Sequence, residues 1–117
     1  AHRFNRTSVS GFTPQVRAWL ERTGRRTIVI GGISIDNCTL HTTLDLLRAG
    51  YKVFVITDVS GSNSAMAEAD ALARLREAGA VTGGWLSILT DLGRDFANPT
   101  YGQGMMGIIQ AHWPAST

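Results

Sequence analysis

Apolar residues recur along the chain in two alternating styles. Thr27-Ile28-Val29-Ile30 and Val53-Phe54-Val55-Ile56 are short unbroken runs rich in β-branched and aromatic side chains. Such runs suit strands buried on both faces, as in a parallel sheet. Around them the apolar positions fall at helical spacing. Val16, Trp19 and Leu20 share one face, with Thr13 as N-cap, Pro14 at the first helical position and Gly24 as the stop. Leu40, Leu44 and Leu47 form a second stripe ended by Gly50. A third helix is predicted from about Ser64 to Ala78, with Ala65, Ala69, Leu72 and Leu75 inward and Gly79 as its cap. Ala80-Val81-Thr82 predicts a short third strand, and Trp85 to about Phe96 a further helix. Strand, helix, strand within about thirty residues is a βαβ unit, with parallel strands and a right-handed crossover. The order β-α-β-α-β-α predicts an α/β layered fold.

The rest of the pattern asks for partners. Residues 97–104 read as a loop and Met105 to Trp113 as a short apolar helix carrying Met105, Met106, Ile108, Ile109 and Trp113. So apolar a stretch is expected to pack on the domain or on another subunit. Three parallel strands make a thin sheet. The Thr27–Ile30 strand is therefore expected to pair with backbone outside residues 13–117, because buried apolar strands avoid open edges. The chain opens on Ala1-His2-Arg3-Phe4 without an initiating Met, a start that reads as the inside of a domain.

Composition narrows the class. At 117 residues the chain suffices for one domain with a core. Its 44% apolar and 17% charged residues are ordinary for a soluble globular fold. No apolar run reaches about 18 residues, so no membrane partner is expected, and no signal-peptide pattern opens the chain. Net charge is +2, and the one local basic cluster, Arg22, Arg25 and Arg26, reads as a solvated loop before a strand. A nucleic-acid partner is not expected, since that would need a broader basic surface with aromatic platforms. The single cysteine rules out an internal disulfide, and a reducing, cytoplasmic setting is expected.

That cysteine occupies the informative stretch, Ile30-Gly31-Gly32-Ile33-Ser34-Ile35-Asp36-Asn37-Cys38. It follows the carboxyl end of a predicted strand, where open α/β sheets place their ligand sites. Cys38 falls in the first turn of the next helix. The partial positive charge there favours a thiolate, and free N–H groups of that turn can receive an oxyanion. Thiolate and oxyanion donors at one point are what acyl transfer needs. A structural Cys packed under the sheet edge is the bland alternative. His41 shares roughly the same helix face but reads as a packing or surface residue, and Asp36 as a carboxylate interacting with the helix dipole. Local spacing thus finds a nucleophile without a complete set of partners.

Longer runs resemble the isochorismatase-like cysteine hydrolases. The resemblance lies in Thr23-Gly24-Arg25-Arg26-Thr27-Ile28-Val29-Ile30-Gly31-Gly32-Ile33, then Asp36-Asn37-Cys38. It continues in Leu44-Asp45-Leu46-Leu47-Arg48-Ala49-Gly50-Tyr51-Lys52-Val53-Phe54-Val55-Ile56-Thr57-Asp58, in Ser60-Gly61-Ser62 and in Ala78-Gly79-Ala80. It covers roughly Arg6 to Phe96. It implies a three-layer α/β/α domain with a parallel, Rossmann-like sheet of about six strands. Residues 1–117 would supply the C-terminal part and about the last three strands, so the chain would need the N-terminal half of its own domain. The family's Cys matches Cys38, and its acid/base Asp would lie on a first strand that this chain lacks. The position of its Lys is taken by Arg6, which can hold negative charge but does not serve as a base near pH 7. The resemblance also implies a cis Ile33–Ser34 peptide, with the Ser34 and Cys38 N–H groups as the oxyanion hole and Phe12, Ile33 and Asn37 lining the pocket. Ile35 stands where a Thr is common.

The activity implied is hydrolysis of a small amide through a thioester on Cys38. A retained Cys favours this over the vinyl-ether hydrolysis of true isochorismatases, which need no thiol. No cofactor and no metal are expected on these residues, and a homo-oligomer is, as in related hydrolases. The other reading is a non-catalytic fragment or pseudoenzyme serving as an oligomer scaffold, which the Arg6 and Ile35 departures support. A dinucleotide-binding domain is disfavoured, because the turn after Ile30 lacks G-x-G-x-x-G.

Overall fold

A computed structural model describes residues 2–62, 64–95 and 97–116, and for Val59 and residues 113–116 the backbone alone. Helix α1 (Pro14–Thr23) begins where the Thr13 hydroxyl accepts the Val16 N–H at 3.4 Å. It ends at Gly24, whose φ of 70° suits a residue without Cβ. Strand β1 (Thr27–Ile30) leads into α2 (Cys38–Arg48), and β2 (Lys52–Ile56) into a 3₁₀ turn at Thr57–Val59. Helix α3 (Ala65–Glu77) is capped by Ser64, which accepts the Ala67 N–H at 3.1 Å. Strand β3 (Val81–Gly83), α4 (Trp85–Gly93) and α5 (Gly102–Ser116) complete the order.

The strands lie in the order β1-β2-β3, all parallel, with Thr27 beside Lys52, Ile30 beside Val55 and Phe54 beside Val81. Successive side chains point to opposite faces. Val53 and Val55 join Leu20, Leu40, Leu46, Tyr51 and Leu75 in one core, with Ile28 and Ile30 packed against it. Phe54 and its register neighbour Val29 point the other way, toward α4 and α5, where Ile88 and Met105 are buried. Helices α1 to α3 therefore cover one face and α4 and α5 the other. This is the three-layer α/β/α arrangement, with three parallel strands in this chain.

Several expectations need correction. Strand β1 is not buried on both faces: Val29 is 46% exposed, while Val53 and Val55 on β2 are fully covered. Strand β2 has a neighbour on each side, and β1 has one among the described residues. In α3 the inward side chains are Ala71 and Leu75, with Leu72 half-buried; Ala65 and Ala69 are exposed. Small alanines gave the stripe its apparent phase without fixing which way the helix turns. The buried face of α2 runs through Thr39, Leu40, Thr43 and Leu46, leaving Leu44 and Leu47 half-buried. Strand β3 begins one residue later than predicted, because the Ala80 N–H is taken by Leu75 O at 2.9 Å.

Helix α4 ends at Gly93, before Arg94 at φ 67°; Phe96 lies outside the described residues. Helix α5 starts at Gly102, inside the predicted loop, and runs past Trp113, whose side chain also lies outside the description. Met105 is buried against Gly93, where a Cβ would collide with its sulfur, while Met106 and Ile108 stay exposed.

Candidate active site

The candidate site grows from the connection between β1 and α2. Cys38 is the first residue of α2 and is half-buried. Asn37 is its N-cap at φ −136°, exposed and without a side-chain capping bond. The Ser34 carbonyl accepts the N–H groups of Asn37 at 3.2 Å and Thr39 at 3.1 Å, and Asn37 O accepts the His41 N–H at 3.1 Å. The Cys38 N–H, between two that are used, has no acceptor among the described residues, and neither has the Ser34 N–H. Orphan donors of this kind are normal in a first helical turn. The Cys38 N–H belongs to the residue that carries the thiol, and Ser34 lies four residues before it in the same connection. The Ile33–Ser34 peptide bond is cis, and the Ser34 hydroxyl donates to Asp36 Oδ1.

The connection is held at several points. The Ile35 side chain is fully buried, and its N–H donates to Gly61 O at 2.7 Å. Thr39, also buried, donates its hydroxyl to Gly32 O at 3.3 Å. Ile35 at the position of a common Thr is thus a core residue. Its apolar side chain meets no polar demand there.

The other candidate residues are spread around this turn. Arg6 is exposed and donates through Nη1 to Ser8 O. Its Nε lies 3.6 Å from where a Cβ on Gly11 would stand, a point 3.3 Å from Thr42 Oγ1. The Gly11 N–H donates to Thr42 Oγ1 at 2.6 Å. Thr42 is one helical turn beyond Cys38 and shares its face, so the Arg6 side chain, near the Gly11–Thr42 contact, lies toward that face of α2. Arg6 pairs with no carboxylate among the described residues. Phe12 is half-buried with its ring edge-on to Tyr51 at 6.0 Å. Ile33 is 84% exposed, and Asn37 and His41 are exposed. Thr42 escaped the sequence reading because its bond to Gly11 spans 31 positions and leaves no local signal.

No group of three or more His, Cys, Asp or Glu among the described residues is placed to hold a metal ion. No helix among them is long and apolar enough to cross a membrane. An open groove of about 720 Å³ runs between β1 and the α4–α5 pair, lined by Val29, Leu89, Leu92, Tyr101, Met105 and Ile108 among others. None of its lining residues belongs to the Cys38 turn.

Comparison with known proteins fits this geometry. Residues 1–85 match the family model described as isochorismatase domain. The chain is 30% identical over 95 residues to the probable hydrolase YcaC of Escherichia coli (strain K12), covering 81% of this chain and 45% of that protein. It resembles the structure of YcaC from Pseudomonas aeruginosa with hexane-2,5-diol and covalent acrylamide. There the TM-score is 0.82 at 31% identity, over 94% of this chain and 54% of that one. It also resembles the pyrazinamidase/nicotinamidase from Streptococcus mutans UA159, with a TM-score of 0.64 at 28% identity over 67% and 44%. The chain spans about half the length of the curated relatives it matches.

Proposed function

This chain belongs to the isochorismatase-like hydrolase family, and from that premise we propose that it bears the nucleophile of a cysteine hydrolase of small amides. The observation that carries the reading is that the Ser34 and Cys38 N–H groups, in the connection that bears the Cys38 thiol, have no acceptor among the described residues. A carboxylate from the N-terminal half of the domain takes the thiol proton. Sγ attacks the amide carbonyl, and the two N–H groups receive the oxyanion. The C–N bond breaks, the amine leaves with the proton, and water then hydrolyses the thioester on Cys38. Arg6 orients the carboxylate and offsets its charge without acting as a base. Phe12, which follows the Gly11 bonded to Thr42, lines the pocket wall, and Ile33 and Asn37 border its open side. No cofactor enters these steps.

Two relatives support this chemistry. YcaC from Pseudomonas aeruginosa is seen with covalent acrylamide, an electrophile of the kind that thiolates attack. The Streptococcus mutans neighbour is a pyrazinamidase/nicotinamidase, which favours a C–N bond as the target.

Residues 1–117 form the C-terminal part of one domain in this reading. The outer edge of β1 is unpaired among the described residues, and Val29, 46% exposed, lines the groove. The N-terminal half supplies the strand that pairs with β1 and the acid/base carboxylate. The protein works on small molecules rather than nucleic acid or membrane, as a homo-oligomer in a reducing cytoplasmic setting, with Met106 and Ile108 exposed on α5 toward a second subunit.

The test is ammonia release from nicotinamide and pyrazinamide by the full-length protein. Cys38→Ala and Cys38→Ser should each abolish turnover while the melting temperature holds. Activity retained in both variants eliminates the nucleophile. The scaffold reading draws on Arg6, which has no carboxylate partner among the described residues. It gains if the wild type neither turns over amides nor reacts at Cys38 with iodoacetamide.

A further inference from the structure

We infer that Ser60 is a positioning residue for the oxyanion donors, tying the connection that carries Ser34 to the end of β2. The inference rests on the cysteine-hydrolase reading and adds to it a residue outside the nucleophile turn.

The Ser60 hydroxyl makes two bonds. It donates to Ile56 O at 2.8 Å and accepts the Gly32 N–H at 3.3 Å. The directions are unambiguous, because a carbonyl oxygen can only accept and a backbone N–H can only donate; one hydroxyl supplies one proton and two lone pairs. Ile56 is the last residue of β2, and Gly32 lies two residues beyond β1. The hydroxyl therefore bridges two adjacent strand ends at the point where the β1–α2 connection leaves the sheet. The next residue repeats the attachment, since Gly61 O accepts the Ile35 N–H at 2.7 Å. Ser34 sits between the two attachment points, so the direction of its N–H depends on both.

The turn carrying Ser60 is itself anchored. Both carboxylate oxygens of Asp58 accept the Trp85 N–H, each at 3.1 Å, at the first residue of α4. A Cβ on Gly84 would stand 3.1 Å from Asp58 Oδ2, so this approach is close on the Gly84 side too. Position is thus relayed from α4 through the Asp58 turn to Ser60, and from Ser60 to the peptides around Ser34. Removing the hydroxyl leaves the Gly32 N–H without its acceptor and frees one end of the connection. A shift of about 1 Å at a catalytic group can cost on the order of 100-fold in rate. The Cys38 thiol, anchored by the helix rather than by this bridge, keeps its place.

That difference separates positioning from general structural support. Alkylation by iodoacetamide displaces iodide from carbon and develops no oxyanion, so it reads the thiol alone. Hydrolysis of 4-nitrophenyl acetate passes through an oxyanion and reads the thiol and the donors together. In the full-length protein, taking the Cys38-dependent rate as the difference from Cys38→Ala, Ser60→Ala should lower kcat by about 10- to 100-fold. KM and the rate of Cys38 alkylation should stay within about twofold of wild type. Ser60→Thr, which keeps the hydroxyl, should restore turnover. Ser60→Gly gives the same comparison where the alanine variant does not fold. Unchanged turnover in Ser60→Ala, or alkylation that falls in step with turnover, overturns the inference. A wild-type protein with no Cys38-dependent turnover refutes the cysteine-hydrolase reading itself, a failure visible before any Ser60 variant is made.

Discussion

Strands β1 and β2 are near twins in composition and opposites in surroundings. Thr-Ile-Val-Ile and the Val-Phe-Val-Ile that follows Lys52 are both continuous and rich in β-branched, apolar residues. In β2, Val53 and Val55 are fully covered and Phe54 nearly so; in register beside Phe54, Val29 of β1 is 46% exposed. The two side chains point to the same face, so the contrast is one of neighbours, not of orientation. Phe54 has strands on both sides and α4 below, whereas Val29 lines a groove of about 720 Å³ on a strand whose outer edge is unpaired among the described residues. Apolar patterning reports the burial a strand is built for, and the elements actually packed on it decide how much is realised. The same contrast runs through function. The Cys38 turn, reached from β1, is pinned by bonds to α2 and to the turn after β2, while the flank of β1 away from β2 has no strand partner among the described residues.

The largest expected effect lies on the covered strand. Phe54→Ala should cost about 3–5 kcal/mol, the range for emptying a buried aromatic site. Urea denaturation of the full-length protein measures it, and a loss below about 1 kcal/mol would mean that β2 is less enclosed than the burial of Phe54 implies. Val29→Ala sharpens the other end. If the N-terminal half covers this face, the variant should lose about 1.6 kcal/mol in the full-length protein, at roughly 0.8 per buried methylene. If the face stays open, the loss stays within about 0.5 kcal/mol, as for exposed sites.

Thr42→Val removes the acceptor of the Gly11 N–H, a bond of 2.6 Å that holds the Arg6 segment against α2. It should cost about 1 kcal/mol in thermal unfolding and, under the proposed mechanism, lower amide turnover, since the segment carrying Arg6 loses its tie to α2. The smallest expected change is a gain. Thr43 is fully buried, and its hydroxyl has no partner among the described residues. Thr43→Val keeps the shape and removes the unpaired group, so stability should rise by about 0.5–1 kcal/mol, a few degrees in Tm for a domain of this size.

What could be read from the sequence was local or strongly periodic. Thr13, Pro14 and Gly24 fixed α1 through capping chemistry that acts within four residues. The bounds of β1 matched its apolar run, and β2 began one residue earlier, at Lys52, an exposed residue that the run of hydrophobics could not include. Cys38 at the start of α2 followed from the glycines ending β1 and the leucine stripe beyond. The inward face of α3 was misread because Ala65 and Ala69 contribute little burial, and Leu75 with Ala71 decides the packing. The start of α5 was hidden by Gly102, Gly104 and Gly107, poor helix formers. The bonds from Thr42 to Gly11 and from Gly32 to Ser60 span 31 and 28 positions. Periodicity carries no trace of such contacts, so the supports of the site came only with the fold.

The central claim is that Cys38 carries the acyl group during turnover. It is tested most directly by mixing the full-length protein with 4-nitrophenyl acetate, quenching in acid within the first turnover and analysing the peptides by mass spectrometry. An acetyl group should appear on the peptide containing Cys38, formed at the rate of the first nitrophenol release and absent from Cys38→Ala. Nitrophenol released at the same rate by Cys38→Ala, with no adduct on the wild-type Cys38 peptide, would contradict it.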